Sequence, residues 1–119
     1  MNLDTFTTRS QQALAGAISL AAAGGHPAVE PAHVLNALLQ QEGGTAGPLL
    51  AAAGVDAQAV ATGVKAELDA LPRASGSTVA SPSLSRASHA VLQQAQELAG
   101  SLGDEFTSTE HLVVALATV

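Results

Sequence analysis

The stretch 8–41 recurs without a gap at 86–119, seventy-eight residues further along the chain. Nine positions are identical between the copies: Ser10/Ser88, Leu14/Leu92, Ala17/Ala95, Leu20/Leu98, Ala21/Ala99, Gly25/Gly103, His33/His111, Ala37/Ala115 and Leu38/Leu116. The matches fall at helical spacing, then at a glycine, then at helical spacing again. That is the pattern of a duplicated helix–turn–helix unit. Such a duplication restricts the chain to a pseudo-symmetric domain with a seam between its halves. Grooves form at seams between similar lobes, so the repeat points to binding.

Composition limits how the seam can be built. Apolar residues make up 47% of the 119, yet there is no Trp or Tyr and only two Phe, so the core must be close-packed and aliphatic. Helices approaching through Ala and Gly suit that composition better than a β-sandwich does. The net charge is −6, and only Arg9, Lys65, Arg73 and Arg86 are positive. Without a basic patch, a nucleic-acid partner is not expected. Without Cys there is no disulfide frame and no thiolate chemistry. No apolar run approaches a membrane span, and Met1, Asn2, Leu3 and Asp4 lack the positive start of a signal peptide. A soluble cytoplasmic protein with no membrane partner is the expectation.

The coarse reading is all-α. Thr7 or Thr8 caps a helix running to about residue 23, with Ala13, Leu14, Ala17, Ile18, Leu20 and Ala21 at a 3.6-residue period. Gly24-Gly25 ends it, Gly25 supplying the left-handed stop. Glu30-Pro31 opens a second helix with its stripe at Val34, Leu35, Leu38 and Leu39, ended at Gly43-Gly44. A short helix over 46–53 follows. Asp56 caps a fourth helix with Val60, Val64, Leu68 and Leu71 inward, and Pro72 ends it. Ser83 or Ser85 caps the first helix of the second copy, which Gly103 stops. Thr107 and Glu110 read as a capping box for the last helix.

These elements give one domain: repeat one over 7–72, a Ser/Gly-rich linker over 73–84, and repeat two over 85–119. The first copy has four helices and the second two, so the second repeat is expected to be truncated at its C-terminus. Leu112, Val113 or Leu116 is then expected to be partly uncovered.

The run Pro31-Ala32-His33-Val34-Leu35-Asn36-Ala37-Leu38-Leu39 resembles the repeat signature of the Clp N-terminal family, as does Ser108-Thr109-Glu110-His111-Leu112-Val113-Val114-Ala115-Leu116. Leu3-Asp4 with Thr7, the run from Gln41 to Val55, and the Leu71-Pro72 ending are similar to the ClpB branch. The resemblance implies the N-terminal domain of an AAA+ disaggregase that engages unfolded or aggregated polypeptides. The parent would be a homohexamer using ATP and magnesium with DnaK-type chaperones. This segment carries no G-x-x-x-x-G-K-[ST] loop, so no cofactor is expected in it. The alternatives are an adaptor-docking N-domain of a ClpC- or ClpA-type protease unfoldase, or a stand-alone Clp-repeat adaptor.

The resemblance carries substrate-binding roles to Thr7, Asp104 and Glu110, and groove-lining roles to Gln94, Leu98 and His111. Each has a plainer reading. Thr7 and Glu110 can serve as helix caps, Asp104 can be a solvated turn residue, and Leu98 lies on the periodic core stripe. Gln94 and His111 would make the groove more polar than the family pattern. His33 and His111 recur at equivalent positions and read as local hydrogen-bonding residues, since a metal site needs further converging ligands. His26 and His89 match nothing in the other copy. Asp104, Glu105 and Glu110 could mimic an acid/base pair, but no nucleophile or oxyanion donor set accompanies them, so no catalytic residue is assigned.

Overall fold

The computed structural model describes residues 4–71 and 82–118. Among them are helices α1 (Thr8–Ala23), α2 (Pro31–Gln40), α3 (Ala46–Ala52), α4 (Ala57–Asp69), α5 (Arg86–Ser101) and α6 (Thr109–Thr118). Two short strands, β1 (Ala28–Val29) and β2 (Ser83–Leu84), pair in parallel. The all-α expectation holds. Most of the linker expected over 73–84 lies outside the described residues, but its end is structured: Ser83 pairs with Ala28, and Leu84 with Val29.

Local sequence sets each helix start. The Thr7 side chain accepts the Ser10 backbone N–H at α1, and Ser85 accepts that of Ser88 at α5. Gly25 and Gly103 adopt φ of 71° and 75°, the left-handed turn that ends α1 and α5. The expected Thr107–Glu110 capping box is a misplacement. α6 begins at Thr109, and the backbone N–H of Ser108 donates to His111 Nδ1 at 2.8 Å. Thr107 is instead buried in a β-bridge to Phe6, and Glu110 is exposed.

The main core forms where the repeated stripes meet. Leu14, Ala17, Leu92 and Ala95 from α1 and α5 pack with Val34, Leu38 and Leu112 from α2 and α6. Phe6, from the segment before α1, and Val29, from β1, fill it. A smaller cluster holds α4 on the first copy: Val64 and Leu68 are buried with Ala32, while Val60 and Leu71 pack against them with Leu20 and Leu35. The expectation of an uncovered last helix is corrected at two positions. Leu112 and Val113 are buried and Leu116 half-buried, since α6 lies against α1, α2, α3 and α5.

The seam is a set of reciprocal exchanges. Phe6 bridges Thr107, and seventy-eight residues on, Leu84 pairs with Val29. Thr7 N–H donates to Thr107 O at 2.9 Å, and Ser85 N–H to Val29 O at 3.1 Å. Ser10 Oγ donates to Thr107 O at 3.1 Å, and Ser88 Oγ to Val29 O at 2.5 Å. Both serines are fully buried, so the identity Ser10/Ser88 marks paired hydrogen bonds across the pseudo-dyad. Each copy thereby ties the start of its first helix to the other copy's interhelical segment.

Candidate functional site: a groove at the seam

The same symmetry fixes two histidines and then breaks. His33 Nδ1 accepts the Glu30 N–H at 2.8 Å, as His111 Nδ1 accepts that of Ser108. Each ring therefore carries its proton on Nε2. In the second copy that proton goes to Asp104 Oδ2, 2.9 Å away. In the first copy the residue equivalent to Asp104 is His26, and His33 Nε2 donates to His26 Nδ1 at 2.9 Å. His26, unmatched in the sequence comparison, thus has a definite partner. Burial, then the adjacent His26, pulls the His33 pKa below its ordinary value, and the Glu30 carboxylate partly offsets this. His26 Nε2 is buried without a partner among the described residues.

Beside His111 opens a groove of about 500 Å³. The end of α5 supplies Leu98 to it, and the following turn supplies Leu102, Asp104, Glu105, Phe106 and Ser108. Glu110, His111 and Val114 enter from α6, and Leu49 from α3 of the first copy. Five large apolar side chains are exposed among the described residues, and three of them, Leu102, Phe106 and Val114, lie here. Leu102 is 64% exposed and Phe106 48%. In a domain with two Phe, one is in the core and the other is spent on this surface. No Lys or Arg lines the groove, whereas Asp104, Glu105 and Glu110 do.

Four of the six residues assigned from sequence meet here: Leu98, Asp104, Glu110 and His111. Two do not. Thr7 caps α1 at the seam, and Gln94 is exposed on α5, one turn before Leu98 and outside the lining. His111 is 7% exposed with its ring nitrogens engaged by Ser108 and Asp104, while the lining includes Leu102, Phe106 and Val114. Sequence reasoning missed those three and Leu49. Their signal was available only as departures from the repeat: Leu102 stands where the first copy has Gly24, and Val114 where it has Asn36.

The sequence model of the Clp repeat (R) N-terminal domain matches residues 5–119. The chain belongs to the Clp N-terminal repeat family. Chaperone protein ClpB of Propionibacterium freudenreichii subsp. shermanii is 45% identical over 119 residues, covering 100% of this chain and 14% of that protein. ClpB of Mycobacterium tuberculosis is 47% identical over 118 residues, covering 98% of this chain and again 14% of the relative. Among solved structures, the ClpV1 ATPase N-terminal domain from an enteroaggregative E. coli type VI secretion system superposes with a TM-score of 0.84. It is 32% identical, over 96% of this chain and 68% of that one. The Hsp104 N-terminal domain of Candida albicans shares the fold, with a TM-score of 0.84 at 19% identity over 95% of this chain and 73% of that one. The Clp N-terminal domain is a non-catalytic module of the chaperones that carry it. No helix among the described residues is long and apolar enough to cross a membrane.

Proposed function

We propose that this Clp N-domain is the substrate-engaging module of a ClpB-type disaggregase, and that the seam groove weakly captures exposed segments of unfolded or aggregated polypeptides. The observation that carries this reading is the gathering of Leu102, Phe106 and Val114 around Leu98 in one acid-rimmed groove. Apolar segments flanked by Lys or Arg fit it best, since Asp104, Glu105 and Glu110 stand at the rim without a cation among them. The His111–Asp104 hydrogen bond fixes the orientation of one rim carboxylate. The high identity to ClpB supports the disaggregase branch over a protease unfoldase or a free adaptor. The parent acts as a cytoplasmic hexamer using ATP and magnesium with DnaK-type partners.

Weak capture follows from magnitudes. Burying about 400 Å² of apolar surface contributes about 10 kcal/mol at ~25 cal/mol per Å². Association and ordering remove roughly 4–15 kcal/mol. At most about 6 kcal/mol is left, a Kd of tens of micromolar at the tightest, and several tethered copies in a hexamer would raise effective concentration. Titrating an unfolded, Lys/Arg-flanked apolar peptide into the labelled chain should shift the backbone amide resonances of 98–114. Shifts confined to the outer face of α1 would remove the groove from this role.

A further inference from the structure

His26 continues a series of hydrogen bonds that the second copy closes one step earlier. The two copies hold the position alike: His26 N–H donates to Ala21 O at 2.8 Å, and Asp104 N–H to Ala99 O at 2.8 Å. In the second copy the series runs from Ser108 N–H through the His111 ring and stops at the Asp104 carboxylate. In the first it runs from Glu30 N–H through the His33 ring to His26 Nδ1. Because His26 Nδ1 accepts, the neutral ring carries its own proton on Nε2. That N–H is a donor with no acceptor among the described residues, on a side chain only 6% exposed. A buried donor left unmade bears the full cost of its desolvation.

The ring has a place made for it. A Cβ at Gly24 would come within 2.9 Å of His26 Cε1 and 3.4 Å of Nε2. The second copy has Leu102 at that position, beside the smaller Asp104. The ring and the glycine that admits it therefore depart from the repeat together. Both line a cleft of about 490 Å³ between the end of α1 and α4. Leu20 and Leu68 give it apolar walls, Asn36 and Gln40 of α2 bring two amides, and Lys65 and Asp69 of α4 bring charges that offset each other. These groups select a ligand. A metal ion at Nε2 would force the His26 proton onto Nδ1 against the His33 Nε2–H, and the His33 proton in turn against Glu30 N–H. A carboxylate would meet no net positive charge to offset its desolvation. An uncharged carbonyl oxygen satisfies the donor without either conflict.

We propose that this cleft binds a small uncharged amide with an apolar body, its carbonyl oxygen accepting from His26 Nε2–H and its body lying against Leu20 and Leu68. Asn36 and Gln40 serve the amide N–H. The site lies on the first copy, apart from the groove at 98–114, and does not depend on what that groove binds.

The test titrates three probes of similar shape into the isotope-labelled 119-residue chain: N-isobutylacetamide, the carboxylate 4-methylpentanoate, and N-ethylisobutylamine, which lacks the carbonyl. The amide should shift the His26 imidazole Nε2 resonance and the backbone amides around Gly24, Asn36 and Leu68. It should bind at least about ten-fold more tightly than either other probe, equivalent to about 1.4 kcal/mol. His26→Asp installs the second copy's arrangement, in which a carboxylate accepts the histidine Nε2–H. It should keep a dispersed, folded spectrum and weaken the amide by at least about ten-fold. Gly24→Ala crowds the ring and should weaken it in the same direction. If His26→Asp fails to fold, the Nε2 resonance and Gly24→Ala decide. Equal affinity for the three probes would overturn the proposal, leaving an unselective apolar cleft. Amide binding that survives both substitutions, or shifts confined to 98–114, would also overturn it. No shift with the amide up to its solubility would mean that water alone serves the donor, and the proposal falls.

Discussion

Lowering the pH should destabilise this domain through a single buried ring. His33 holds its proton on Nε2 because Nδ1 accepts the Glu30 N–H, and that Nε2–H donates a hydrogen bond to His26 Nδ1. A second proton on His33 would have to sit on Nδ1, facing an N–H donor, and would place a cation in the core beside another imidazole. Glu30 at the cap and Lys65 and Asp69 of α4 are the charged groups around this pair. The unfolded chain meets none of these obstacles and protonates near the ordinary value of 6.5, whereas folded His33 protonates lower. Between those values the unfolded state binds more protons, so stability is present above about 6.5 and is lost as pH falls through that window. One differential proton gives a slope of at most about 1.4 kcal/mol per pH unit. Moving from about pH 7.5 to about pH 5.5 therefore costs up to about 1.4 kcal/mol from this site, a fall of several degrees in Tm for a domain of this size. Urea unfolding at the two pH values, for the parent chain and for His33→Gln, isolates the term. The variant will be less stable at both pH values, because a buried hydrogen-bond pair is broken. Its loss of stability on acidification should nonetheless be smaller than the parent's. Identical pH dependence in the two proteins would refute the reasoning, as would a parent that is more stable in acid.

Phe106→Ser together with Val114→Lys removes two exposed apolar groups from the groove. It should change Tm little while abolishing peptide-induced shifts at 98–114, and retained binding would contradict the assignment. Ser10→Ala and Ser88→Ala should each cost about 1 kcal/mol in denaturant unfolding. Each removes one buried seam hydrogen bond, but Thr107 O and Val29 O keep a backbone donor. The pair should be additive, since the two serines share no partner. Gly103→Ala should destabilise by about 1 kcal/mol in thermal melts because φ is 75°, although nothing lies within 4 Å of the added carbon. Leu92→Ala, at a fully buried core position, should cost about 2–5 kcal/mol by urea titration.

The helices were legible because periodicity and caps are local. Thr7, Gly25, Pro31, Asp56, Ser85 and Gly103 act where the spacing places them. The recurring histidines were legible as local hydrogen-bonding groups for the same reason. The seam bridges were not. A pairing such as Phe6 with Thr107 carries no periodic signal, and its two ends are a hundred residues apart. That omission misplaced the last cap, since Thr107 is committed to the bridge and Ser108 takes the role. The groove was half legible. Leu98, Asp104, Glu110 and His111 came through the family resemblance, whereas Leu49, Leu102, Phe106 and Val114 belong to it only through tertiary packing. Identity matching also hid the most chemical difference between the copies, His26 against Asp104, because it discards unequal positions in a correct register.

The reciprocal bridges have a consequence for synthesis. Phe6 and Ser10 emerge from the ribosome about a hundred residues before their partner Thr107. Helix α1 can pack on α2 as soon as both are made, but its capping end stays open until the second copy follows. Each repeat closes the other, so half of the chain is not half of a domain. The capped starts of α1 and α5 are thus closed only when both copies are present.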